Sequence, residues 1–369
     1  MEQPRIYLPG LNGLRAIAAL SVVVSHTDLL PGVTDFGLDP LFNFSIPMGA
    51  FAVTLFFVIS GFLITYLLVN EVNLKKDVSI KKFYMRRILR IWPIYYLFLI
   101  LALPLFWILQ HPKNIITPDM FYFVFFSANV PFILKHGGIA ILVHYWSIGV
   151  EEQFYLFWPW VVHFVRRRLL PVSIIIFAVL FVLKVFLWHL HGSEFWGYRI
   201  FFVNRFDCMM VGAIGAILYF NKNKRFIAFF THRLSQLFAW LLYISVSLNW
   251  IHIPLPISHE IVAVAALSII MGQVNGKNRI VNLEKKGFDF LGKISYGIYV
   301  IHPVILLLLS RIFYSVQLTP LIKYPLVFVT SLICVILIAW LSYTYFEKPF
   351  LRLKNRFAIV RSSNSMFNK

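Results

Sequence analysis

The chain has 369 residues, of which 60% are hydrophobic and only 13% charged. Water-soluble domains carry roughly 45–50% apolar and about 25% charged residues, so lipid must cover much of this surface and a soluble domain is excluded. The net charge of +19 would suit nucleic acid, but the Lys and Arg residues sit in short clusters between apolar runs. That is the positive-inside pattern of a membrane protein, and no nucleic-acid partner is expected.

Apolar runs of the length needed to cross a bilayer, ~18–20 residues, begin at the N-terminus. The first contains Arg15 and lacks a small-residue cleavage site, so it reads as a retained span rather than a signal peptide. Spans are predicted near 11–29, 49–69, 88–108, 145–164, 171–190, 206–220, 234–250, 257–273, 291–312 and 323–346. A further run, 119–134, is shorter and holds Asn129 and Pro131. Basic clusters at 75–90, 166–168, 222–233, 277–286 and 352–356 all fall on one side only if 119–134 does not cross. The predicted fold class is therefore all-α: a polytopic transmembrane bundle of about ten spans plus one re-entrant or outer-face segment. Both termini are cytoplasmic. Residues 1–350 form one integral membrane domain, and 351–369 a basic cytoplasmic tail, disordered at its end. Cys208 and Cys334 lie in apolar segments and imply no disulfide framework.

Charges inside spans are costly and default to functional hypotheses. In the first span, Arg15 and His26 are eleven residues apart, about three helical turns. They share a face with ~16 Å between them, Arg15 toward the inner surface and His26 toward the outer. Arg15 also suits snorkelling to headgroups, and His26 an interfacial position. A cavity histidine suits general-base work, because its pKa lies near the working pH.

The third span opens with Arg86, Arg87 and Arg90, whose guanidinium forks suit phosphate oxygens at a cytoplasmic mouth. In the fourth, His144, Ser147, Glu151 and Tyr155 form a polar stripe. Glu151 and Glu152 point about 100° apart, which suits different tasks. One could orient a histidine while the other binds a substrate hydroxyl. In the ninth, Ser295, Tyr299 and His302 share a face. Pro303 follows His302 and frees a backbone carbonyl. Helix-to-helix hydrogen bonding would also account for these groups. Ser60 and Gly61 read as close-packing residues of the second span. No Walker-type loop, GxSxG elbow, HExxH or CxxC pattern occurs, and no metal is expected.

Taken in order, GLRAIAALSVVVSH (13–26), FFVISGFLIT (56–65), RRILRIWP (86–93), WSIGVEEQFYLFWP (146–159) and SYGIYVIHP (295–303) resemble the acyltransferase-3 family of membrane O-acyltransferases. The resemblance implies ten or so spans, acetyl-CoA as donor, and a glycan hydroxyl as acceptor outside the cytoplasm. It implies a catalytic role for His26 and important roles for Arg15, Arg86, Arg90 and Glu152. Relatives often carry Asp where this chain has Asn12, so no acid role is expected there. Some also carry an extracytoplasmic hydrolase-like domain, for which this chain is too short. It is expected either to finish the transfer alone or to hand on to a separate extracytoplasmic acyltransferase or glycan-assembly protein.

The resulting expectation is an acetyl-CoA-dependent O-acyltransferase in the bacterial inner membrane. His26, Glu151 and Glu152 are its catalytic groups. Arg15, Arg86, Arg87 and Arg90 bind the donor, and Ser147, Ser295, Tyr299 and His302 serve the substrate or oxyanion. Buried Glu, His and Arg would equally serve a secondary transporter for a sugar, glycan or organic acid.

Overall fold

A computed structural model describes residues 5–27, 47–110, 119–135, 140–276, 278–359 and 361–362. Each of the ten predicted spans contains a helix. The first three are α1 (Leu11–Thr27), α2 (Met48–Lys75) and α3 (Ile80–Gln110). The 119–134 run yields two short helices, α4 (Met120–Val124) and α5 (Asn129–Leu134). Then come α6 (Tyr145–Val165), α7 (Leu169–His191), α8 (Trp196–Asn204), α9 (Phe206–Phe220), α10 (Lys224–Phe230), α11 (Arg233–Ser247) and α12 (Ser258–Asn275). The last are α13 (Lys286–Tyr314), α14 (Pro320–Ser342) and α15 (Lys348–Lys354), with a π-helical turn at Tyr343–Glu347 between the final two. Among the described residues the only strand pairing is a two-residue parallel pair, Arg5–Ile6 with Arg361–Ser362.

Among the described residues, six helical stretches are long and apolar enough to cross a membrane. One of them, Tyr145–His191, has 47 residues, which would extend ~70 Å as one helix against a hydrocarbon core of ~30 Å. It breaks at Arg166, whose φ of 37° ends α6. Burial sorts these stretches into centre and rim. The most apolar window of α2 is 78% buried, that of Tyr145–His191 only 17%. Helix α7 presents Ile175, Val179, Val182 and Phe186 outward at helical spacing, and α14 does the same with Leu326, Val329, Ile333 and Leu337. These are lipid-facing stripes. Helix α2 is apolar on every side because protein surrounds it. Gly61 permits its closest approach: a Cβ there would strike the backbone of Met209 in α9, and one at Gly212 the backbone of Val58. The small-residue reading of Gly61 is thus the one the packing requires.

Neither α4 nor α5 can cross, since six residues rise only ~9 Å. Their backbone is satisfied by protein, as non-helical chain near a membrane requires. Tyr95 Oη donates to Phe123 O at 2.5 Å and Tyr96 Oη to Val124 O at 2.9 Å. Asn129 and Gln153 pair through their amides at 2.8 and 3.1 Å. Helix α15 runs across residue 350, and Arg361–Ser362 pairs with the N-terminal segment. The acidic stretch from Asp28 to Asn43, with Asp35 and Asp39, lies outside the described residues.

Candidate active site

Five of the chain's cations converge at one end of a cavity. Arg15 comes from α1, Arg86, Arg87 and Arg90 from α3, and Lys354 from α15. All are half-buried. The acids of this mouth are already engaged. Glu71 accepts from Arg86 at 3.0 Å, Glu284 from Tyr7 at 2.5 Å and Arg279 at 3.2 Å, and Asp289 from Lys293 at 2.8 Å and Asn12 at 2.8 Å. Arg86 also donates to Phe357 O at 3.0 Å. It is therefore the arginine most occupied by the fold itself. Arg15, Arg87, Arg90 and Lys354 form no ion pair among the described residues, although Glu151 and Glu347 lie within electrostatic reach. Arg87 lies over the rings of Phe83 and Tyr155, 5.8 and 5.6 Å from their centroids, and its Nε has no partner. Such a cluster of like charges favours an anionic ligand.

A second pocket shares Arg15, Leu63, Arg87 and Arg90 with the first and is lined also by Ser60, Ser147, Glu151, Tyr155, Ser295 and Tyr299. The two adjacent carboxylates part as their 100° offset requires. Glu151 lines this inner chamber beside Ser60. Glu152 accepts from Trp92 Nε1 at 3.1 Å, and its other oxygen is buried without a partner. Ser60 is bonded to the Tyr155 hydroxyl.

Tyr299 closes the chamber, and three histidines stand behind it. Its hydroxyl bonds Ser147 Oγ at 2.5 Å, and both hydroxyls lie within reach of His144 O, at 3.1 and 3.2 Å. Whichever hydroxyl donates to that carbonyl, the other donates to the first. Both protons are then spent within the trio. Ser295 likewise donates to Gly292 O at 2.9 Å. In this arrangement none of these hydroxyls aims a proton at an oxyanion, the role sequence reasoning gave them.

His302 is fully buried, His144 nearly so at 4% exposure, and His26 half-buried and reachable. His26 Nδ1 lies 2.7 Å from His302 Nε2. The expectation that Glu151 or Glu152 orients His26 is therefore corrected. The ring bonded to it is His302 on α13, because the carboxylates sit one chamber away among the arginines. His144 Nε2 donates to Val300 O at 3.1 Å, which leaves its Nδ1 as a buried acceptor without a partner.

The five segments that place these groups follow one another along a chain that matches a known family, described as an acyltransferase domain (acyltransferase-3), over residues 8–343. The chain belongs to this acyltransferase family. It is 28% identical to the O-acetyltransferase OatA of Staphylococcus aureus strain MRSA252 over 394 residues, covering 100% of this chain and 61% of that protein. A putative O-acetyltransferase of S. aureus strain COL is 26% identical, covering 93% of this chain and 57% of its own. This chain thus spans about three fifths of the length of these acyltransferase relatives. No solved structure matches it significantly.

Sequence reasoning missed two things. Lys354 lay in what read as a tail, and nothing local signals its return to the cavity. The second is a buried network on α7, α9 and α12. Lys184 Nζ bonds Asp207 Oδ2 at 2.6 Å and also Glu260. Nearby, Arg205 donates to Ala50 O at 2.9 Å and to Thr54 Oγ1 at 3.2 Å. A lysine inside the 171–190 run was the available signal. Asp207, Cys208 and Glu260 bring potential metal ligands within 4.8 Å of one another, but the Lys184 amine, bonded to both carboxylates, holds the cation's position.

Proposed function

We propose that this chain is a membrane O-acetyltransferase that moves an acetyl group from cytoplasmic acetyl-CoA to a hydroxyl of an extracytoplasmic glycan. The observation that carries this reading is a pair of adjoining pockets that share Arg15, Leu63, Arg87 and Arg90. Unpaired cations stand at one end of this pair and a reachable histidine beyond the other, along helices that hold the family's motif segments. The O-acetyltransferase names of the relatives support it.

Acetyl-CoA enters at the mouth, its phosphates against Arg15, Arg87, Arg90 and Lys354, with Arg86 bridging Glu71. Charge-assisted bonds of this kind are short and strong. The thioester extends into the chamber of Ser60, Glu151 and Tyr299. His26 takes the proton of the acceptor hydroxyl, whose oxygen attacks the acetyl carbon. The C–S bond breaks and coenzyme A leaves as the thiol after taking up a proton. For the thioester to meet the hydroxyl, Tyr299 must yield its place at the chamber's end, which also frees its proton for the developing oxyanion. Glu151 holds the arginines in register, and Glu152 anchors α6 to α3 through Trp92.

The same reading assigns the chain ten crossings of the bacterial inner membrane, with both ends cytoplasmic. The pairing of Arg5–Ile6 with Arg361–Ser362 supports an even number of crossings, because both ends lie on one side. The acetyl group passes directly to the glycan or through a separate extracytoplasmic acyltransferase. Sealed vesicles of known orientation test the division. With acetyl-CoA on the cytoplasmic face only and an impermeant glycan on the other, product should form. Product appearing only when both share the cytoplasmic side would refute it.

A further inference from the structure

Pro303 has no N–H. In an uninterrupted α-helix the N–H of residue 303 would bond the carbonyl of Tyr299, four residues earlier. That carbonyl is therefore open inside α13, and His302 Nδ1 lies 2.6 Å from it. A carbonyl can only accept, so His302 carries a hydrogen on Nδ1. Its Nε2 is the atom 2.7 Å from His26 Nδ1. A second hydrogen there would make His302 a fully buried cation with no carboxylate bonded to it among the described residues, which is costly. Nε2 of His302 is thus a lone pair, and His26 must donate from Nδ1. The ring planes, 21° apart, suit such an in-plane bond.

We infer that His302 and Pro303 are positioning residues that lock His26 in its Nδ1–H tautomer, so that its Nε2 is the basic atom. The second nitrogen of a histidine is set by the bond the first one makes. Here that bond traces back to a missing backbone hydrogen: proline opens a carbonyl, the carbonyl fixes His302, and His302 fixes His26. Free imidazole side chains favour the opposite, Nε2–H form, so the lock has a direction that can be measured. The catalytic meaning of the lock rests on His26 acting as the base proposed above. The tautomer itself does not depend on that reading.

The test is nitrogen NMR of the full chain in nanodiscs, with its histidines labelled with ¹⁵N and His26 assigned by the signal lost in His26→Gln. Wild-type protein at neutral pH should carry the His26 proton on Nδ1. A proton on Nε2 would overturn the inference. His302→Leu should return His26 to the Nε2–H form and lower transfer by roughly 10²–10⁴-fold, the range that general-base catalysis contributes. His302→Gln, which keeps an acceptor and a donor at its tip, should retain the Nδ1–H form and most of the activity. Pro303→Ala restores the competing N–H and should populate both tautomers. Persistence of Nδ1–H in His302→Leu would also overturn the inference, whatever the activity. Undiminished transfer by His26→Ala would instead sink the enzymatic reading, with the wild-type tautomer still measured independently.

Discussion

Two regions of the bundle hold buried charge, and they handle it in opposite ways. Where α7, α9 and α12 meet, Lys184 is bonded to Asp207 and Glu260, and Arg205 to a carbonyl and a hydroxyl. Two cations stand against two carboxylates, and the formal sum is zero. In the cavity between α1, α3 and α13, Arg15, Arg87, Arg90 and Lys354 have no ion pair among the described residues. The first arrangement is balanced in charge, with only Glu260 Oε2 left without a hydrogen-bond partner, and belongs to the fold. The second gathers like charges that Glu151 and Glu347 offset only in part, an arrangement that favours an entering anion. In a membrane protein, whether a charge is paired therefore says more about its role than whether it is buried.

Variants can break or sharpen this contrast. The largest effect is expected at the far end of the cavity. His26→Ala should cut acetyl transfer by roughly 10²–10⁴-fold, while the unfolding temperature stays near that of wild type. Activity above a tenth of wild type would remove His26 from the mechanism. The balanced region should show the reverse. Lys184→Met leaves two buried carboxylates facing each other, and breaking a buried pair costs about 3–5 kcal/mol. Thermal unfolding in detergent should register that loss, with transfer per folded molecule unchanged. A fully stable Lys184→Met variant would erase the distinction between the two regions.

Arg90→Gln should raise the KM for acetyl-CoA about tenfold or more, since hydrogen bonds to charged groups are worth about 1.5–3 kcal/mol. It should not destabilise the protein, because no ion pair is lost. An unaltered donor KM would make the arginines topological signals only. Lys354→Gln should raise the same KM by a smaller factor, because an ammonium lacks the arginine fork, and it should weaken the salt dependence of donor binding.

The smallest effect is expected in the loop between α2 and α3, outside the spans. Partial desolvation of Asp77 is outweighed by the Val78 N–H, His163 and Arg166, which hold its carboxyl below the usual range. Any stability from it is present above the unfolded carboxyl range and is lost as pH falls through the lowered folded value. Being half-exposed, the pair is screened, so Asp77→Asn should leave the unfolding temperature unchanged at neutral pH.

These regions were not equally legible in the sequence. Each of the ten apolar runs holds a helix, and the interrupted run 119–134 holds only two short ones. Helical spacing put Arg15 and His26 on one face of α1 and separated Glu151 from Glu152, because those relations depend only on 3.6 residues per turn. Contacts between distant segments follow no local periodicity. The bond between His26 and His302 joins residues 276 apart, and sequence reasoning supplied a carboxylate instead because a carboxylate is the commoner orienting partner. Lys184, Asp207 and Glu260 each sit alone in their own segment, so their mutual neutralisation was invisible. Lys354 was assigned to a tail because the contacts that draw that segment back to the cavity, Arg86 with Phe357 O and the pairing at Arg361–Ser362, join residues distant in sequence.

The central claim is that the unpaired cations form the acyl-donor site. Equilibrium binding of acetyl-CoA to the purified full chain, by calorimetry at low and high salt, tests it most directly. Wild-type protein should bind saturably, with affinity falling as salt rises, and the double variant Arg15→Gln/Arg90→Gln should lose most of that affinity while remaining folded. Binding of equal strength by wild type and the double variant, or no saturable binding by folded wild type, would contradict the account.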